Sequence, residues 1–247
     1  DFSDLPLGDA LAVTDRSDVP RYVMEPLREG VWQIGVERPA GYPDKFLWYP
    51  KAEPSRPWTY GACSSEEDQE TRGLLTTHRG CRLLFPQKER YRDQVQTWII
   101  RPEKTAGQGF NSPTGQFLDL WIGLDAYQET GYGLHIERTP KYSDGVDFQL
   151  YAYENGYGTP ISQAVSAGCF RGDCRIQLML REGMLYADCS SSLPPLAAGR
   201  GSGLASEIHL KAPAPNIQAA GWGCRYTGGS HEGGRLLFRF FSFEGTM

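Results

Sequence analysis

Along most of the chain after Gln94, apolar and polar residues alternate with a period of two, the signature of strands with one buried face. In Gln116 to Asp125, Leu118, Leu120, Ile122 and Leu124 share one face, and Phe117, Asp119, Trp121, Gly123 and Asp125 share the other. Tyr132 to Thr139 turns Leu134 and Ile136 inward and His135 and Glu137 outward. Asp147 to Tyr153 turns Phe148, Leu150 and Ala152 inward, with Gln149, Tyr151 and Tyr153 outward. Cys174 to Leu180 carries Ile176, Leu178 and Leu180 on one side, and the turn Arg181-Glu182-Gly183 leads into Met184 to Cys189 as a hairpin. Glu207 to Lys211 and Gly221 to Tyr226 follow, and Arg235 to Phe243, apolar on both faces, reads as a central strand.

No long amphipathic stripe interrupts the series; Ser65 to Leu75 is the best helical segment and is too short to sustain one. The pattern predicts an all-β chain, a two-sheet antiparallel β-sandwich with a barrel as the alternative. Its core would hold Leu118, Leu120, Ile122, Leu134, Ile136, Phe148, Leu150, Ile176 and Leu178. The N-terminal third is less regular. Val31 to Val36 reads as a strand, whereas Glu37 to Gln69 holds five prolines among Tyr42, Phe46, Trp48, Tyr49, Trp58 and Tyr60, a long aromatic loop at about 37–70. No repeat or separating linker appears, so residues 1–247 are expected to form one domain.

Composition narrows the function class. Lysine plus arginine number 25 against 30 aspartate plus glutamate, a net charge of −5 that repels a phosphate backbone, so nucleic acid is not an expected partner. No apolar run approaches the roughly 18 residues of a membrane span, and the opening at Asp1 without a leader reads as a processed or trimmed chain. None of the four histidines stands at helical i, i+4 spacing from another metal ligand and no Cys-x-x-Cys occurs, so no metal or cofactor is expected. Of the six cysteines, Cys169 and Cys174 flank a short turn, which predicts a bond between them in an oxidising compartment.

The opening Asp1-Phe2-Ser3-Asp4, the segment Glu29-Gly30-Val31-Trp32 and the closing strands up to Gly245 together resemble the concanavalin A-like lectin and glucanase sandwiches. Within that group, Gly107-Gln108-Gly109-Phe110, Gly131 to Thr139 and Asp147 to Tyr151 are similar to a little-characterised branch of bacterial glycosyl hydrolase-like proteins. The resemblance implies a jelly-roll fold, a polysaccharide or oligosaccharide partner, and a secreted, periplasmic or cell-surface location. It also implies a place for a structural calcium near Asp1, Asp4 and Glu244, although acidic residues at chain ends are common and solvation is the simpler account of them. The chain lacks the Glu-x-Asp-x-x-Glu strand motif common in glucanases of this fold, and the arginine-, histidine- and tyrosine-rich motifs of alginate-type lyases are also not evident.

Strand geometry therefore has to supply the candidate site. If three outward faces belong to one sheet, they gather Asp119, Trp121, Asp125, His135, Glu137, Gln149 and Tyr151. Aromatic rings stack on sugar faces and carboxylates accept hydroxyl hydrogens, so the set suits a glycan. For glycoside hydrolysis, Glu137 would be the acid, Asp119 or Asp125 its partner, and His135 a base or orienting group. Trp121, Gln149 and Tyr151, with Trp48 and Trp58 from the aromatic loop, would bind substrate. The same residues also read as an ordinary sheet surface, with Glu137 paired to Arg138 or Arg175, Trp121 over an apolar patch, and the loop aromatics as a satellite core. A non-catalytic glycan-binding module would keep the aromatic platform without the carboxylate pair, and a structural role would present a broad apolar patch.

Overall fold

The structure, a computed structural model, describes residues 21–28, 31–36, 58–62, 72–76, 80–85, 91–102, 116–125, 129–138, 145–193, 204–215, 219–228 and 236–246. Asp1, Asp4 and Trp48 lie outside the described residues, as do the side chains of Trp58 and Tyr60. Every regular element in the described residues is a strand. These are β1 (Arg21–Arg28), β2 (Val31–Val36), β3 (Trp58–Ala62), β4 (Arg72–Thr76), β5 (Gly80–Phe85), β6 (Asp93–Pro102), β7 (Gln116–Asp125) and β8 (Thr130–Arg138). They continue with β9 (Val146–Glu154), β10 (Tyr157–Pro160), β11 (Val165–Ala167), β12 (Cys174–Arg181), β13 (Met184–Ser191), β14 (Ile208–Pro213), β15 (Gly221–Gly228) and β16 (Leu236–Thr246). Trp58 to Ala62 is thus a strand inside the segment expected to be loop.

Two sheets result. One runs β10-β9-β8-β7-β15-β5-β1-β2 with β11 also on β9; the other runs β14-β13-β12-β6-β16-β4-β3. Among the described strands, β1 and β5 pair in parallel and the other strand pairs are antiparallel; Ala167 at the end of β11 also makes an isolated parallel bridge to Ala205. The expected hairpin forms: Glu182 and Gly183 both take positive φ between the paired Arg181 and Met184, the two-residue turn whose twist matches its strands. Asn155-Gly156 does the same between β9 and β10.

All nine residues assigned to the core are fully buried, together with Trp98, Ile100, Trp222, Tyr226 and Phe238. Trp98 on β6 meets Trp222 on β15 edge-on at 5.5 Å and is flanked by Phe238 and Phe241 of β16. Burying rings of this size drives the sheets together.

The alternation fails at one point, and the failure shapes the site. Gly123 takes φ 58°, and the pairing of β7 shifts register between Ile122 and Asp125. That left-handed residue makes a bulge, re-aiming the chain beyond it. Leu124 consequently packs with Trp121 and Tyr153 on the outer face instead of joining Leu118, Leu120 and Ile122 in the core. The bulge also strands backbone groups, and the facing sheet answers them. Gln96 on β6 donates its amide to the Trp121 carbonyl at 2.6 Å and accepts from Trp98 Nε1 at 2.9 Å. Gln94 accepts from the Gly123 N–H at 3.2 Å and donates to the Ala219 carbonyl. Both glutamines have no solvent exposure, so they act as polar dowels between the sheets.

The expected Cys169–Cys174 bond is absent. Both thiols are free, and Cys174 donates to the carbonyl oxygens of Cys169 at 3.0 Å and Arg171 at 3.3 Å.

Gln96→Met keeps the shape but leaves the Trp121 carbonyl and the Trp98 indole N–H without these partners. Urea denaturation should register a loss of about 2–4 kcal/mol, the cost of removing two buried hydrogen bonds. A loss under about 0.5 kcal/mol, the range of neutral surface changes, would mean that the glutamine bridges add little.

Candidate functional site

On the face of the nine-stranded sheet turned away from its partner, neighbouring strands converge on one carboxylate. Asp119 on β7 is the direct cross-strand partner of His135 on β8 and of Arg225 on β15. Its side chain is 1% exposed. Oδ1 accepts from His135 Nδ1 at 2.6 Å and from the Tyr153 hydroxyl at 2.7 Å. Oδ2 accepts from Arg225 Nε at 3.0 Å and Nη2 at 2.7 Å. Both oxygens are taken, as a buried charge requires.

Glycine makes this convergence possible. Tyr153 stands on β9 and must cross β8 to reach Asp119, and it does so over Gly133, where any Cβ would come within 3.0 Å of the tyrosine ring and collide with the Leu120 carbonyl. Gly158 on β10 gives the same clearance to the rings of Tyr151 and Tyr153.

Aromatic rings then surround the ion pair. Phe117 lies 5.2 Å from His135, His135 stacks on Tyr151 at 4.5 Å and 25°, Tyr151 tilts against Tyr153, and Tyr153 meets Trp121 edge-on at 6.0 Å. The Arg225 guanidinium closes the circle, 5.2 Å from the ring centres of both Phe117 and Trp121.

The charges are correspondingly biased. Burial alone would lower the His135 pKa, but hydrogen bonds and charge from Asp119 and Glu137 outweigh it and raise the value to about 9. His135 Nε2 lies 3.6 Å from Glu137 Oε2, and this contact holds the Glu137 carboxyl below its usual range. Burial pushes the Tyr151 and Tyr153 hydroxyls up. Solvent meets the site at Glu137, whose side chain is 50% exposed, and at half-buried Phe117 and Tyr151.

Of the residues expected here, Asp119, Trp121, His135, Glu137, Gln149 and Tyr151 share this face. Their surroundings alter several expected parts. Asp119 is saturated by its partners. Trp121 is fully buried, with no ring surface left for a ligand and no partner for Nε1 among the described residues. Gln149 donates to the Ser162 carbonyl at 2.7 Å, fastening the segment after β10. Asp125 lies beyond the Gly123 bulge, where alternation from Leu124 turns it away from Asp119. Glu137 pairs with His135, not with Arg138 or Arg175. Arg225 and Phe117 were not foreseen as parts of the site, nor was Tyr153. Among the described residues no cluster of three or more His, Cys, Asp or Glu side chains could hold a metal ion, and no helix is long and apolar enough to cross a membrane.

No family model matches the chain, and no curated protein does. Solved structures similar to it include the carbohydrate-binding module CBM66 from Bacillus subtilis, at 12% identity and TM-score 0.44 over 76% of this chain and 96% of that one. A legume lectin-like domain from Entamoeba histolytica matches at 9% identity and TM-score 0.41, covering 71% and 79%. A xylan beta-1,4-xylosidase from Bacillus halodurans matches at 10% and 0.44, covering 72% and 34%. At these values no residue role passes from them to this chain.

Asp119→Asn should cost about 3–5 kcal/mol by urea denaturation, because it removes the carboxylate that pairs with the part-buried Arg225 and leaves His135 only Glu137. Arg225→Met should cost a similar amount, and the double variant much less than the sum. Additive losses would show that the two side chains are not coupled.

Proposed function

We propose that this face binds a glycan and does not hydrolyse it, in a protein exported to the periplasm, cell surface or medium. The observation that carries the reading is the pairing of Tyr151, half-buried and stacked on His135, with the solvent-facing Glu137 carboxylate beside it. A flat ring supplies apolar area to a sugar face, and a carboxylate accepts from its hydroxyls. His135, fixed by Asp119, backs both groups, stacking on Tyr151 and lying 3.6 Å from Glu137, so a binding platform is already formed before a ligand arrives.

Hydrolysis would need a protonated carboxyl and a second free carboxylate. Glu137 is biased toward its ionised form by His135, and both oxygens of Asp119 are engaged. Between the two carboxylates, His135, its pKa raised to about 9, is the group on this face biased to hold the proton. These features favour binding over catalysis. The export assignment rests on the resemblance to concanavalin A-like proteins and is tested by locating the protein in its own cells.

Purified protein should retard on gels containing one or more plant or host polysaccharides while releasing no reducing ends from them. Tyr151→Ala should weaken that binding about fivefold or more, the equivalent of about 1 kcal/mol of lost aromatic contact. Reducing-end release that disappears in Glu137→Gln would overturn the binding-only reading and restore Glu137 as an acid.

A further inference from the structure

A cluster of three buried cysteines lies in the core, away from the glycan-binding face. Cys169 belongs to the segment between β11 and β12, Cys174 opens β12, and Cys189 points inward from β13; none is more than 2% exposed. The Cys169 and Cys189 sulfurs are 3.8 Å apart, close to van der Waals contact. Cys174 hydrogen-bonds to backbone carbonyls instead.

We propose that Cys169 and Cys189 are joined by a disulfide when the chain folds in an oxidising environment, with Cys174 remaining a thiol. The proposal goes beyond the glycan-binding reading and does not depend on it.

The segment carrying Cys169 is fixed on both sides. Gly168 donates to the Ala205 carbonyl at 3.0 Å, and Arg171 accepts from the Ser191 hydroxyl. The Asp173 carbonyl accepts from the Ser192 N–H at 3.0 Å, and the Asp173 N–H donates to the Ser192 hydroxyl at 3.0 Å. The Cys169 segment is thereby docked onto the end of β13, two residues beyond Cys189. The sulfurs are thus held at contact, from which the remaining step is closure to the bonded separation of about 2.05 Å.

Chemistry favours the same pair. The hydrogen bond shared by the two sulfurs biases Cys169 toward its thiolate, the form that attacks a disulfide, while burial raises the pKa of Cys174. With glutathione disulfide as oxidant, the Cys169 thiolate attacks one sulfur, breaks the glutathione S–S bond and expels one glutathione thiolate. Deprotonated Cys189 then attacks the Cys169 sulfur of the mixed disulfide and expels the second glutathione. Two protein thiols are oxidised, one glutathione disulfide is reduced to two thiols, and the two thiol protons end on glutathione at neutral pH. Because both sulfurs are buried in the finished fold, this exchange belongs to the late folding chain, after the Cys169 segment has docked beside β13 and before the core closes over the pair.

The test is to reduce and denature the full chain, refold it with glutathione and glutathione disulfide, alkylate free thiols under denaturing conditions, and map non-reduced peptides. The expected result is a Cys169 peptide linked to a Cys189 peptide, with Cys174 alkylated. Cys174→Ser should retain the link. Cys189→Ser, or Cys189→Ala if the serine variant does not fold, should leave Cys169 alkylated. Linkage of Cys169 to any other cysteine, or alkylation of both Cys169 and Cys189 in the refolded native sequence, would overturn the proposal.

Discussion

A carboxylate with almost no solvent exposure sits in a central strand on the outer face of a sheet, and much of that face is arranged to tolerate it. Asp119 draws its partners from every side: Arg225 from β15, His135 from β8 and Tyr153 from beyond β8. A buried charge of this kind is costly unless every lone pair is used. The aromatic ring around it excludes water and strengthens the electrostatics within. The chain contains an instructive counterpart. His209 also bonds a cross-strand aspartate, Asp188, at 2.7 Å and faces a glutamate two residues away, Glu207, at 3.5 Å. There the imidazole is 71% exposed, so the same residue types make only a screened surface contact. Burial turns one of two similar triads into a candidate site.

The outer face also depends on the interior of the sandwich. The Gly123 bulge aims Leu124 at Trp121 and Tyr153, completing the apolar backing of the ring cluster. That bulge is affordable because Gln94 and Gln96 reach across from β6 to the Trp121 carbonyl and the Gly123 N–H. Packing between the sheets and geometry on the outer face are therefore coupled through a few residues of β7. Tyr151 and Glu137 inherit their positions from both.

Period-two alternation made the core legible, since one buried face imposes a phase that a one-residue slip would invert. That is why Leu118, Leu134, Phe148 and Ile176 fell where the pattern put them. Where alternation breaks, legibility ended. Gly123 reads in sequence as one more small outward residue, and only its positive φ moves Leu124 and Asp125 to opposite faces from those expected. Trp121 was correctly aimed but wrongly taken as open, because outward and exposed differ once neighbouring rings close over a face. Arg225 lies 106 residues from Asp119 and meets it through a strand pairing that local pattern cannot reveal. Two signals were present and unused: the Asn155-Gly156 dipeptide, a strong hairpin signature, and Gly133 and Gly158 beside tyrosine-bearing positions. The expected Cys169–Cys174 bond followed sequence proximity, whereas the fold turns Cys169 toward a strand 20 residues on.

The central claim is that Asp119 organises the face and, with Glu137, holds His135 as a cation. NMR titration of the His135 imidazole reads this directly. The account predicts a midpoint near 9, falling when Asp119 is replaced by asparagine. A midpoint at or below about 6.5, the value of an unperturbed histidine, would mean that burial dominates, that the imidazole is neutral at physiological pH, and that the charge arrangement described here is wrong.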